Sequence, residues 1–434
     1  MPEKSRIRPL VIAEAANPEW VSVPLAGWFI VDAIRKLTDA HVVTQVRNRD
    51  AFLRSGLVEG QDFTAIDNEW LARPMHRAAS VLRMGKGKGW TVVTALSSLS
   101  YPSFERAVWR MFRKDLEAGR FDLVHRVTPR TPTAPSPMAK WSREAGIPFL
   151  LGPLNGGLPW PPGYDDIRGQ EREYLSRARF LYKMLPGHSA ALKNAALIMC
   201  GSRHTMSEIP AKFHEKTVYV EPNGIDLNRF SKAFQKRKFS SSRPLRACFI
   251  GRLVPYKGPD MLLEAAKSLI SDGKLEVDFI GDGPMRTALG EQVKSLAAPD
   301  AVRFHGNVSH GQVQDLAGEC DILAFPSIRE FGGAVILEAM ALGVVPVVVD
   351  YGGPGEFVED DTGFKIPIGP RASVVSGLRS ILERIEADRT MLTLYSLRAQ
   401  ARIGERFTWE RIGESITRHY ASVLDKHTAS KTVI

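Results

Sequence analysis

The strongest constraint on this chain is a rhythm of short apolar runs, each followed by a helical stretch, that plays through twice. In the first half the runs are RPLVIA from Arg8, HVVTQV from His41, FDLVH ending at His125, IPFLLG ending at Gly152 and ALIMCG ending at Gly201. In the second half they are LRACFIG, LEVDFIG, VRFHG, DILAFPS and VVPVVVD. Near-continuous apolar runs suit strands buried on both faces, and strands separated by helices pair in parallel. Each half therefore predicts a doubly wound α/β domain, and 434 residues are more than one ordinary domain needs. The polar, basic, serine-rich stretch KAFQKRKFSSSR marks the join. The expected boundaries are 1–222 for the first domain, 223–243 for a linker and 244–408 for the second domain. A last helix spans 409–426, and the polar tail 427–434 is expected to be disordered.

Composition narrows the function classes. A hydrophobic fraction of 44% and a charged fraction of 24% are those of a globular protein. No apolar run approaches the roughly 20 residues that span a bilayer. The opening MPEKSRIRPLVIAEAA has too short an apolar core for a signal peptide, so a cytoplasmic location is expected. Cys200, Cys248 and Cys320 lie in or beside strand-like runs with no C-x-x-C spacing, which suits reduced, buried thiols better than metal ligands. A net charge of +10 favours an anionic partner. Without zinc-finger spacing or a basic–aromatic sheet signature, nucleic acid is not expected. A phosphorylated substrate and an anionic membrane surface remain.

The chemistry concentrates in EFGGAVILE, Glu330 to Glu338. A strand ends just before it and a helix begins within it, so Gly332 and Gly333 sit at a strand-to-helix turn. Free N–H groups and the positive end of the helix dipole can face an anion there, and glycine lets a ligand come close. Glu330 and Glu338 flank this cradle. Carboxylates repel phosphate, so sugar hydroxyls are their natural partners, and the whole suits a nucleotide-sugar. A capped helix carrying two solvated glutamates is the plain alternative. In open α/β sheets ligands bind beyond the carboxyl ends of the strands. Arg252, Lys257, Gly281–Pro284, His305–Gly306, Glu330 and the loop ending at Glu356 all fall there. Arg252 and Lys257 would offset a diphosphate's charge, and the chain has no D-x-D triplet with which to bridge a metal to one.

RLVPYKG, IGDGP, FHGNV, EFGGAVILE and GGPGE, in this order and spacing, resemble the retaining GT-B-fold glycosyltransferases of the group 1 type. Glu330 and Glu338 match that family's E-x7-E motif; VEPNGIDLNRF resembles its interdomain segment. FTWERI resembles its terminal helix, which crosses back to the first domain. The match covers roughly Val220 to Tyr420. The resemblance implies two Rossmann-like doubly wound domains facing a cleft; no cofactor is expected, since the nucleotide-sugar is a substrate, and with no D-x-D but Arg252 and Lys257 in place no metal is expected either. It implies transfer of a hexosyl group from a nucleoside-diphosphate sugar, UDP- ahead of GDP-, with retention of configuration. The acceptor would be a hydroxyl of a glycan or lipid-linked saccharide in cell-surface polysaccharide synthesis. Arg252, Lys257 and Glu330 would be catalytic. Gly251, Gly332, Gly333, Val335, Glu338, His305 and Val308 would bind the donor, with the His305 segment against the base. A sugar-nucleotide epimerase of the same fold, or a non-catalytic nucleotide-sugar or membrane-surface binding protein, are the rival readings.

The first half departs from that family. Where its members carry paired glycines after the first strand, this chain reads NPEWVSVPLAG. Where many read D-x-x-H-x-H, it reads DLVHRV, with His125 present and Val127 in place of a second histidine. LGPLNGGLPWPPGY, from Leu151, either replaces part of the missing loop or is a structural turn. His125, Asn155 and Gly156 are therefore acceptor-side candidates, with a hydrogen-bonded core histidine as the alternative for His125. FERAVWRMFRK, from Phe104, sets Phe104, Val108 and Phe112 on one face beside Arg106, Arg110, Arg113 and Lys114, with the basic loop MGKGKGW nearby. Such a helix can lie on an anionic membrane, giving peripheral contact with the inner face, or pack on a sheet.

Overall fold

The computed structural model describes residues 6–432 except 72, 76–89, 172–185, 228, 231 and 236. The chain forms two compact units: Met1–Gly157, Gly169–Pro222 and Trp409–Ile434 make the first, and Leu158–Arg168 with Asn223–Thr408 make the second.

The first unit is built on seven parallel strands, β1 (Pro9–Ala13), β2 (His41–Gln45), β3 (Phe63–Ile66), β4 (Leu123–Thr128), β5 (Phe149–Leu154), β6 (Leu197–Cys200) and β7 (Thr217–Tyr219), in the order 3-2-1-4-5-6-7. Alternate residues of β1 serve opposite cores, as the two-residue period of a strand requires. Leu10 and Ile12 pack with Phe104, Val108 and Phe112 from helix Trp90–Glu117. Val11 and Ala13 pack with helix Val23–Leu37 and with Trp409, Ile412 and Ile416 of the last helix. The aromatic stripe proposed for a membrane is thus spent on the core: Phe104 and Val108 are fully buried, whereas Arg106, Arg110, Arg113 and Lys114 are exposed. The basic loop Met84–Gly89 lies outside the described residues. Among the described residues no helix is long and apolar enough to cross a membrane.

The last helix runs from Trp409 to Thr432, so the expected disordered tail is helical through Thr432. DKHTASKT contains no proline or glycine to stop the ladder. The helix is tied to the sheet through His125, which is fully buried. Its Nε2–H donates to the Gly152 carbonyl at 2.7 Å, leaving Nδ1 to accept from the Tyr420 hydroxyl at 2.6 Å. Both ring nitrogens are occupied by internal partners, so His125 is the core histidine of the two alternatives. Burial lowers its pKa to about 4. A base held neutral in the fold contributes stability above its unfolded pKa, and that contribution is lost as pH falls through the folded one. Between pH 6.5 and 4 the loss approaches about 3 kcal/mol. The acid fall in melting temperature should accordingly be shallower in His125→Gln than in wild type; parallel curves would refute this.

The second unit has six parallel strands, β8 (Leu245–Ile250), β9 (Leu275–Ile280), β10 (Val302–Gly306), β11 (Ile322–Phe325), β12 (Val345–Asp350) and β13 (Phe364–Pro367), in the order 10-9-8-11-12-13. The order reverses between β8 and β11, the topological switch point of a doubly wound sheet. The stretch 223–243, expected as a linker, is bound into this unit. Arg243 makes a bidentate pair with Asp321 at 2.8 Å, and Arg237 donates to the carbonyls of Gly318 and Cys320. The segment Leu158–Arg168, expected with the first domain, also belongs here and gives Tyr164 to the core. All three cysteines are free and buried.

Candidate functional site

Beyond the carboxyl ends of β8, β9 and β10 lies a crevice of about 730 Å3. It is lined by Gly251 and Arg252 after β8, Gly281 to Pro284 after β9, and Asn307, Val308 and Val313 after β10. The strand ends close on one another through their backbones. Gly281 has φ 134°, and a Cβ there would stand 2.1 Å from the Gly251 carbonyl oxygen. Only glycine fits such an approach.

Beside the crevice stands the Glu330 turn. Lys257 Nζ meets Glu330 Oε2 at 2.5 Å, and its ammonium lies 5.1 Å from the centre of the Phe325 ring. Burial lowers the Lys257 pKa, but the Glu330 carboxylate and the Tyr256 phenol more than offset it, and the net shift is upward. Lys257 is therefore charged at any physiological pH. Arg252 is close enough to oppose that charge, so the two cations are neighbours.

Gly333, at φ 53° and ψ 39°, leads into helix Ala334–Ala341 and, being glycine, brings no side chain of its own to cap it. The Gly332 carbonyl accepts from Nδ2 of Asn223 at 3.0 Å, and a Cβ on Gly332 would fall 2.6 Å from that nitrogen. The Gly353 N–H donates to the Glu330 carbonyl at 3.0 Å, so the GGPGE loop braces the turn from behind. Val335 and Glu338 lie along the helix, both half-buried. Burial raises the Glu338 pKa, while His310 and Arg229 pull it down.

The structure thus gathers Gly251, Arg252, Lys257, Glu330, Gly332, Gly333, Val335, Glu338 and Val308 in one unit. His305 behaves differently from its expected place against a base. Its Nε2 bonds Asp278 at 2.7 Å, and Arg303 bonds the same carboxylate at 2.9 and 3.0 Å. Burial raises the pKa of Asp278, but these bonds win and hold it at about 2. Arg303 and His305, on either side of Phe304 where the register of β10 on β9 shifts, both reach Asp278, and His305 does not line the crevice. Asn155 and Gly156 belong to the first unit. The Gly156 N–H donates to the Thr205 hydroxyl oxygen at 3.2 Å and its carbonyl accepts from that hydroxyl at 2.9 Å, which fastens the loop after β5. Asn223, Arg229 and His310 were not singled out in the sequence. Asn223 stands in a recognisable N-G turn, but no local signal reveals its reach to residue 332.

Two Rossmann-like parallel sheets of this order make the fold GT-B. Residues 231–392 match the family described as glycosyl transferases group 1. D-inositol 3-phosphate glycosyltransferases of Geodermatophilus obscurus and Rhodococcus erythropolis are 30% and 33% identical to this chain over 227 and 183 residues. These alignments cover 49% and 40% of this chain. The chain spans about half the length of such curated relatives, 48% and 40% in these two. Among solved structures, Anabaena HepE in complex with UDP aligns with a TM-score of 0.62 at 18% identity, over 96% of this chain and 100% of that one. Sucrose-phosphate synthase of Thermosynechococcus elongatus aligns at 0.60 and 16%, over 97% and 100%. At these identities the likeness is one of fold.

Proposed function

We propose that the protein transfers a hexosyl group from a nucleoside-diphosphate sugar, UDP- ahead of GDP-, to an acceptor hydroxyl of a glycan or lipid-linked saccharide, with retention of configuration. The observation that carries this reading is the Lys257–Glu330 ion pair at a glycine-led helix N-terminus, directly beside a nucleoside-sized crevice. Solved relatives of the same fold in complex with UDP and with UDP-glucose support a uridine donor. In this reading the base enters the crevice near Asn307 and Val308, and Glu338 accepts from the ribose hydroxyls. The diphosphate meets Arg252, Lys257 and the N–H groups after Gly332. Glu330 faces the sugar, where positive charge grows as the glycosidic bond breaks. The two cations and the helix terminus stabilise the negative charge gathering on the departing diphosphate. That diphosphate can itself take the acceptor's proton, so no protein nucleophile is required.

A thermal-shift screen against UDP-, GDP- and ADP-sugars tests the donor, since a bound ligand raises apparent stability. UDP-sugars should give the largest shift. The anomeric configuration of a transferred sugar, read by NMR, then tests retention. Charge compensation by Arg252 and Lys257 also predicts that transfer survives excess chelator. Complete loss of activity, restored by manganese or magnesium, would sink that part of the proposal.

A further inference from the structure

Glu330 follows Arg329, and Arg329 is held by a piece of chain from the other half of the sequence. The segment Leu158–Arg168 follows the last residue of the first unit's loop after β5 and returns at Gly169. Its prolines, Pro159, Pro161 and Pro162, stiffen its first residues, because each ring fixes a backbone angle, ahead of a turn at Pro162–Gly163 and the helix Asp165–Gln170. Arg329 Nε donates to the Leu158 carbonyl at 3.2 Å. The Arg329 guanidinium lies 4.8 Å from the Trp160 ring centre and 4.9 Å from that of Phe331. Trp160 also meets Tyr256, the residue before Lys257, edge to face at 6.4 Å. Two further bonds anchor the segment, from the Tyr351 hydroxyl to the Pro159 carbonyl at 3.0 Å and from the Tyr164 hydroxyl to the Gly369 carbonyl at 2.9 Å.

We propose that this segment is a positioning element for the donor site, with Trp160 and Arg329 as positioning residues that set the Glu330 carboxylate against Lys257. The proposal rests on the glycosyltransferase reading for its catalytic consequence. Both residues hold the chain beside Glu330, assigned to the sugar, and leave the Lys257 ammonium and Arg252 in place, so the segment acts on the sugar end of the donor more than on nucleoside diphosphate binding. The indole Nε1 of Trp160 is buried and has no hydrogen-bond partner among the described residues, so the side chain is held there by its ring. A ring without that N–H should therefore serve as well, because removing an unsatisfied buried donor costs nothing. A lysine at 329 keeps the charge but loses the flat face that stacks between two rings.

The test uses the full chain with Trp160→Ala, Trp160→Phe and Arg329→Lys. Loss of a positioning contact displaces a reacting group by a fraction of an ångström to an ångström, and kcat should fall on the order of 10- to 100-fold in Trp160→Ala and Arg329→Lys. UDP affinity, by calorimetry, should stay within about twofold of wild type in both, and Trp160→Phe should restore kcat to within about twofold. Hydrogen–deuterium exchange over residues 328–334 should quicken in Trp160→Ala and return to normal in Trp160→Phe. Wild-type kcat in Trp160→Ala, an equal loss of UDP affinity, or failure of the phenylalanine to rescue would each overturn the proposal. If the wild-type chain turns over no donor, the glycosyltransferase reading has failed and the exchange measurement alone decides. Unchanged exchange in Trp160→Ala then rejects the positioning role.

Discussion

Lys257→Ala should weaken binding of free UDP by about 1.5–3 kcal/mol, roughly 10- to 150-fold, the range of a hydrogen bond to a charged group. Two features of the site put this effect above that of Arg252→Ala. Lys257 is largely enclosed, its side chain only 16% exposed, so little solvent screens its charge, whereas Arg252 is exposed at the crevice mouth. Lys257 also neutralises Glu330. Without the ammonium, that carboxylate faces the diphosphate uncompensated and repels it. Calorimetric titration of UDP into both variants reads the order directly. Wild-type affinity in both, or a larger loss in Arg252→Ala, would refute the assignment.

Glu330→Gln and Glu338→Gln should fail in different ways. Glu338 lies beside His310 and Arg229 inside the helix, and in the proposed reading it takes the ribose, which does not react. Its loss should weaken UDP and UDP-sugar binding alike and leave kcat nearly unchanged. Glu330 stands before the helix, where a carboxylate favours the transition state over the ground state, so its loss should lower kcat more than donor affinity. A drop of about 100-fold or more in kcat fits removal of one such electrostatic group. The measurements are kcat, donor Kd and UDP Kd for each variant. Wild-type kcat with lost UDP affinity in Glu330→Gln would mean that the two roles are reversed. No change in either variant would leave a capped helix with solvated glutamates.

The strands buried on both faces were legible as apolar runs, and the site motifs were legible because each directly follows such a run. Three strands were not: β3 (FTAI), β7 (TVY) and β13 (FKIP) are all edge strands, short and paired on one side only. An edge needs no long apolar run, so it leaves little trace. His305 was expected against a base, but it sits where the register of β10 on β9 shifts, and it bonds Asp278 beside Arg303, an irregularity the two-residue period does not foresee. The grip on Arg329 was not readable, because Arg329 and Leu158 lie 171 residues apart. A motif records which residues a local turn needs; contacts across such distances depend on the whole topology.

The membership of Trp409–Ile434 in the first unit bears on how the protein is made. Trp409, Ile412, Ile416 and Tyr420 fill one face of a sheet whose first strand begins at Pro9. As the chain leaves the ribosome, helix Val23–Leu37 covers part of that face early, but the part under the last helix stays bare until Trp409 to Tyr420 have been added. The second unit, complete at Thr408, can close first, although its sequence comes later. During that interval the core that holds Val11, Val42 and Leu123 lacks part of its cover, an apolar surface open to aggregation. Loss of the final helix should thus act on soluble yield during synthesis before it acts on catalysis.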